Sequence, residues 1–201
     1  MDTQQITEKL AALKKKQGQI LEAWQKTGNK SLIQFIIEIM PKAMKAERCS
    51  IYIVDPTRSD AWIQSGTGLT EKQVTIPLET SSIVGQVIKT GTYKVEEDLE
   101  DKVGAHVAAA AKTGFVVRNV LCVPVHSTKE AKVIGAIQML NKFGGGYTED
   151  DRKMLERLAG VLQTSIEQMY QRQELLNISN EMELMILNLE RQLIKANLQK
   201  S

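Results

Sequence analysis

The sequence predicts an α+β fold, a mixed middle flanked by a helical head and a helical tail. Three observations predict it. The middle of the chain alternates β-rich apolar runs with turn-like pieces, among them CSIYIV (49–54), NVLCVPVHS (119–127) and KVIGAIQML (132–140). Both ends carry apolar residues at 4-3 spacing, the rhythm of a helix stripe. The 201 residues are 42% hydrophobic and 25% charged, enough for one well-buried core with helices to spare.

In the head, Ile6, Leu10, Leu13, Gln17, Ile20 and Trp24 follow a 4-3-4-3-4 spacing. TGNKS (27–31) breaks that helix, and Ser31 is a candidate N-cap for a second one. The second helix carries Leu32, Phe35, Ile36, Ile39 and Ala43, and Pro41 should kink or shorten it. CSIYIV is then a strand and DPTRSD (55–60) a turn, while AWIQS (61–65) and VTIPL (74–78) are shorter strand candidates. SSIVGQVIKTG (81–91) reads as a short helix capped by Ser81 or Ser82 and closed by Gly91. YKVEE (93–97) is a strand candidate, and AHVAAAAKTG (105–114) a short helix ending at Gly114. NVLCVPVHS and KVIGAIQML, joined by TKEA (128–131), form a hairpin at the centre of the sheet.

The tail begins at Thr148, an N-cap followed by acids in the first turn. Leu155, Leu158, Leu162, Ile166 and Met169 make one face; Met182, Ile186, Leu189, Leu193 and Ala196 repeat further on. No proline or glycine falls after Val161, so a helix of about 50 residues is expected, against a globular mean of about 11–12. Its distal half needs a partner helix. The expected organisation is a coiled-coil-like helix over 1–30, a central domain over 31–170 and a coiled-coil-like extension over 171–201.

Composition narrows the function classes. A formal net charge of +2 does not argue for a nucleic-acid surface. No apolar run approaches the roughly 20 residues of a membrane span, and the first residues lack a signal peptide's apolar stretch, which makes the cytoplasm the expected compartment. Cys49 and Cys122 sit in apolar runs, as buried thiols do, and fit no zinc spacing. His106 and His126 are the only histidines. A Cys122/His126 catalytic pair fails on geometry, because an i, i+4 pair on a strand stands about 13 Å apart. No enzyme signature occurs, and the expectation is a non-catalytic chain.

One stretch invites a chemical reading, NKFGGGYTEDD (141–151). A P-loop needs its lysine after the last glycine, whereas Lys142 precedes them. An EF-hand alternates its acids, whereas Glu149, Asp150 and Asp151 are consecutive. Local physics makes the stretch a strand-to-helix turn.

Several ordered pieces nonetheless resemble a known family. AERCSIYIVD (46–55), IPLETSSIVGQVIKTG (76–91), KTGFVVRNVLCVPV (112–125) and KVIGAIQMLNK (132–142) are similar, in order, to segments of the GAF domain. The resemblance runs from about Leu32 to Met169. NKFGGGYTEDD resembles the NKxnFx3DE motif of the cyclic-nucleotide-binding subgroup seen in phosphodiesterases and cyanobacterial adenylyl cyclases. Asn141, Lys142 and Asp151 match it, Tyr147 stands in for the phenylalanine, and Arg152 replaces the glutamate.

The resemblance implies a GAF-like central antiparallel sheet with helices on its faces. It implies a ligand, cAMP or cGMP, held above the sheet. Ser50 would come from the first core strand, Gln138 from the last. Backbone groups of Ile83 and Val84 would receive the cyclic phosphate, Thr113 and the 105–114 helix would form a lid, and Val117 would line the ligand. Gln64 and Ser65 occupy the base-reading positions in place of an aromatic and an acid. Lys142 and Asp151, with Asn141, would brace the pocket from outside. The implied function is a sensory module that relays closure through dimerising terminal helices, a homodimer acting on a signalling protein partner. The alternative is a dimerisation or docking module with a vestigial pocket.

Overall fold

The computed structural model describes Lys15 and residues 29–69, 74–79, 82–99 and 114–198. The head stripe from Ile6 to Trp24, the lid helix with its alanines, His106 and Thr113 lie outside the described residues. The elements are α1 (Asn29–Ala43), β1 (Ala46–Val54), β2 (Asp60–Gly66), β3 (Thr75–Pro77), α2 (Ile83–Thr90), β4 (Lys94–Glu96), β5 (Val120–His126), β6 (Val133–Lys142) and α3 (Glu149–Leu198). The six strands form one sheet in the order β3-β2-β1-β6-β5-β4, with every pairing antiparallel. This is the expected α+β architecture. The chain divides into two units, Ile33–Glu174 and the terminal segments Met1–Leu32 with Leu175–Ser201. No described helix is long and apolar enough to cross a membrane.

Alternation along the strands sorts the core into two layers. On one face Cys49, Ile51, Ile53, Leu121, Val123, Ile137 and Met139 pack against Ile33, Ile36 and Ile37 of α1 and Leu155, Leu162 and Ile166 of α3. On the other, Tyr52, Ile63, Val120, Cys122, Ala136 and Leu140 pack against Val84, Val87 and Ile88 of α2. Gly135 sets how close α3 can come. A Cβ there would stand 2.4 Å from the Tyr52 carbonyl oxygen and 3.2 Å from Ile166 Cγ2, so a side chain at 135 would collide with the backbone of β1 and press on Ile166 of α3.

Three local expectations are adjusted. The second helix begins at Asn29, which puts Ser31 inside its first turn and not at its cap. Pro41 is accommodated within α1, which ends two residues later at Ala43. Its ring removes the donor that would meet the Ile37 carbonyl, and Thr67 Oγ1 donates to that carbonyl at 3.4 Å instead. The first strand starts three residues before CSIYIV, at Ala46, and so takes in Glu47 and Arg48.

Side-chain contacts tie the β5–β6 hairpin to α3, among them Lys132 Nζ lying 4.6 Å from the centre of the Tyr170 ring. The buried Glu167 carboxylate accepts from Ser127 Oγ at 3.1 Å and from the Thr128 N–H at 2.9 Å. Gln163 Nε2 donates to the His126 carbonyl at 2.9 Å.

Candidate functional site

The register builds one polar row across the α2-facing side of the sheet. Ser50 lies opposite Gly66 on β2 and Gln138 on β6, Gln138 lies opposite Cys122 on β5, and Cys122 opposite Lys94 on β4. Ser50 is 2% exposed and Gln138 8%. Neither side chain makes a hydrogen bond among the described residues. Lys94 at the row's end is engaged, donating to Gln86 and paired with Glu96 at 2.7 Å.

α2 sits over this face because its apolar side, Val84, Val87 and Ile88, is buried there. Ser82 is its N-cap, accepting from the Gly85 N–H at 3.1 Å, and Gly91 in the left-handed region closes it. Ile83 and Val84 therefore occupy the first turn, where backbone N–H groups have no intrahelical acceptor. Val117 packs on the same cluster.

Gln64 and Ser65 depart from expectation. The β1–β2 register shifts between Ile51 and Tyr52, so Ser65 faces Ile51 while Tyr52 faces Ile63. An irregularity of this kind re-aims side chains. The Ser65 hydroxyl comes within 3.5 Å of Gln34 on α1, and Gln64 accepts from the Trp62 indole at 3.3 Å. Trp62 belongs to the α1/α3 layer. The structure thus brings Ser50, Ile83, Val84, Val117 and Gln138 to one side of the sheet and directs Gln64 and Ser65 to the other.

Asn141 is buried, with φ of 58°, and fastens the segment that leads into β5. Its side-chain oxygen accepts from the Arg118 N–H at 2.7 Å; its amide donates to the Val116 carbonyl at 2.8 Å and to Glu47 Oε2 at 3.0 Å. Asn119 answers from the other strand, accepting from the Lys142 N–H at 2.7 Å. Side chains thus continue the ladder where regular pairing ends. Glu47 also pairs with Arg118. Burial pushes the Glu47 carboxyl up, but the bonds from Asn141 and Arg118 outweigh it and hold the carboxyl below its ordinary range.

Lys142 pairs with Asp151, both mostly buried, across the glycine turn. Gly144 and Gly145 have positive φ, the conformation that makes glycine the fitting residue there. Asp151 also accepts from the Thr148 N–H at 2.7 Å and hydroxyl at 2.8 Å, while Thr148 caps α3. Burial raises the Asp151 carboxyl, and Lys142 and Thr148 overcome it to leave the group below the usual carboxylate range. Tyr147 packs on the α1/α3 core, its hydroxyl enclosed without a partner. Burial, with the Asp151 charge behind it, pushes its pKa well up. Arg152 pairs with Glu149 and Glu156 and lies 4.6 Å from the centre of the Tyr93 ring.

Burial pushes the Cys49 thiol up to about 12 and raises Cys122 as well. Such thiols are poor nucleophiles at neutral pH. The contributions of Glu47, Arg48, Arg118 and Asn119 were not legible as site features. Glu47 and Arg48 read as charges before a strand, and only the strand's earlier start places them on the sheet.

The GAF domain family profile matches residues 30–166. A probable 3',5'-cyclic phosphodiesterase of Caenorhabditis elegans is 30% identical over 145 residues, covering 64% of this chain and 19% of that protein. A dual 3',5'-cyclic-AMP and -GMP phosphodiesterase 11A of Takifugu rubripes is 27% identical over 125 residues, covering 55% of this chain and 14% of that protein. The chain thus spans less than a fifth of the length of these relatives. Among solved structures, the GAF domain of a phosphoenolpyruvate-protein phosphotransferase from Coxiella burnetii superposes with a TM-score of 0.60 at 15% identity, covering 78% of this chain and 94% of that one. Residues 122 to 287 of a methyl-accepting chemotaxis protein superpose with a TM-score of 0.57 at 15% identity, covering 76% and 94%. With its six-stranded antiparallel sheet and the profile match over 30–166, the chain belongs to the GAF domain family.

Proposed function

We propose that this chain is a non-catalytic sensory module that binds a small molecule, cAMP or cGMP, on the α2 face of its sheet. The observation that carries the reading is the juxtaposition of two polar side chains, Ser50 and Gln138, on opposite positions of β1 and β6 on that face, neither making a hydrogen bond among the described residues. Polar side chains set among apolar ones fix the orientation of a small ligand, and a ligand's polar atoms would meet them. The Lys142–Asp151 pair and the Asn141 bonds fix the sheet end beside it. The similarity to cyclic phosphodiesterases supports a cyclic nucleotide as the ligand. Binding would be relayed through α3 to terminal helices that dimerise and act on a signalling protein.

A second reading, a dimerisation or docking module with a ligand-free pocket, is favoured by Gln64 and Ser65. Their orientation removes two polar side chains from the α2 face.

Isothermal calorimetry and thermal shift with cAMP and cGMP separate the two. A bound nucleotide should raise stability by RT ln(1 + [L]/Kd), about 2.7 kcal/mol at a hundred times Kd. Absence of heat and of any shift with both nucleotides would leave the docking reading.

A further inference from the structure

The α2 face carries a cation with no assigned role. Arg48 lies opposite Leu140 of β6, a member of the α2-face cluster. Its guanidinium carbon stands 3.8 Å from the centre of the Phe115 ring, which packs on the same cluster. Ser50 is two residues further along β1, so it points to the same face, with Gln138 beside it.

The Glu47 charge acts on Arg48, but among the described residues the hydrogen bonds of the nearby carboxylates go to other partners. Glu47 holds Arg118 and Asn141, and Glu96 holds Lys94. Arg48 itself makes no ion pair or hydrogen bond among the described residues. Stacking on an aromatic face orients a guanidinium but leaves its N–H groups, which lie in its own plane, free to donate. A fixed planar fork of this kind suits an oxyanion, which it can grip with two parallel bonds. The Ser50 hydroxyl and the Gln138 primary amide, neither hydrogen-bonded among the described residues, complete the donor set.

We infer that Arg48, with Ser50 and Gln138, forms an anion subsite that takes the phosphate or carboxylate of a small-molecule ligand. The inference rests on the α2 face being a ligand site, and it assigns the ligand's negative charge to a sheet side chain instead of the first turn of α2. Its physical signature is a charge requirement: the ligand must be anionic, and its affinity must fall with added salt.

The test uses the full chain, wild type beside Arg48→Met and Arg48→Lys. Calorimetry and thermal shift would be run at matched ionic strength with cAMP, cGMP, pyrophosphate and citrate, and with adenosine as the uncharged control. The nucleotides and pyrophosphate report a phosphate source, citrate a carboxylate source. Methionine keeps an aliphatic cover on Phe115 but no donors; lysine keeps the charge and loses the fork. At least one anionic probe should bind wild type. Its affinity should fall about ten- to a hundredfold in Arg48→Met, the range for a charge-assisted hydrogen bond. Arg48→Lys should fall between, and it carries the comparison if circular dichroism shows Arg48→Met unfolded. A probe that binds wild type and both variants equally overturns the subsite and leaves the ligand face standing. Adenosine binding as tightly as the anions does the same. If no probe of either charge binds, the subsite and the ligand reading both fall.

Discussion

At the scale of single residues, Lys142 and Asp151 do two jobs with one contact. The carboxylate meets the lysine and also the Thr148 cap, so one ion pair locks the end of β6 to the start of α3. Asp151 has its pKa lowered by folding. Its contribution is therefore fully present above the unfolded value of about 3.9 and is lost as pH falls through the lower folded value. Asp151→Asn should cost roughly 1–3 kcal/mol at neutral pH, with the gap to wild type closing in acid. Urea unfolding at neutral and acid pH checks this; a gap independent of pH would show that the charge is not what matters. Lys142→Ala should lower ligand affinity while the domain stays folded, as calorimetry and circular dichroism would report. Lys142 and Asp151 were legible because each sits in a run of matching residues that leads straight into a helix cap. Gln64 and Ser65 were not, because a register shift between Ile51 and Tyr52 depends on how two strands meet and leaves no mark in either strand alone.

At the scale of elements, α3 was the most legible. Its N-cap, its apolar face and the lack of proline or glycine after Val161 all agree, and it runs from Glu149 to Leu198. Leu155, Leu162 and Ile166 are fully buried on it as their spacing requires, with Leu158 and Met169 partly so. The edge strands β3 and β4 were legible only as short runs, and three residues of each pair with the sheet. The attachment of the hairpin to α3 was not legible, because Glu167 lies some 40 residues from Ser127 and reads as a surface charge on a polar helix. Removing it should loosen the attachment of the hairpin to α3. Glu167→Ala is expected to destabilise the domain by roughly 1–3 kcal/mol, the loss of hydrogen bonds to a charged acceptor, and to speed hydrogen exchange at the Thr128 amide. Unchanged exchange there would mean that the hairpin holds its place without α3.

At the scale of the molecule, the unit comprising the terminal segments carries the feature that most needs a partner. Leu175, Ile178, Met182, Met185 and Leu189 are exposed at 3-4 spacing along α3, which is the pattern of a coiled-coil seam. Light scattering at micromolar concentration should give a homodimer, and a chain ending at Glu174 should shift toward monomer. A monomeric full-length chain would defeat the dimer proposal. Ile33–Glu174 holds a mechanical feature of its own. Gly135 lets Ile166 of α3 lie so near the sheet that a Cβ at 135 would stand 3.2 Å from its Cγ2. Such a contact would resist closer approach and could serve as a fulcrum. Any rocking of α3 about it moves the Asp151 end and the Tyr170 end in opposite senses. A small push at the brace would emerge beyond the pivot as a reversed stroke, with its size set by the ratio of the two lever arms.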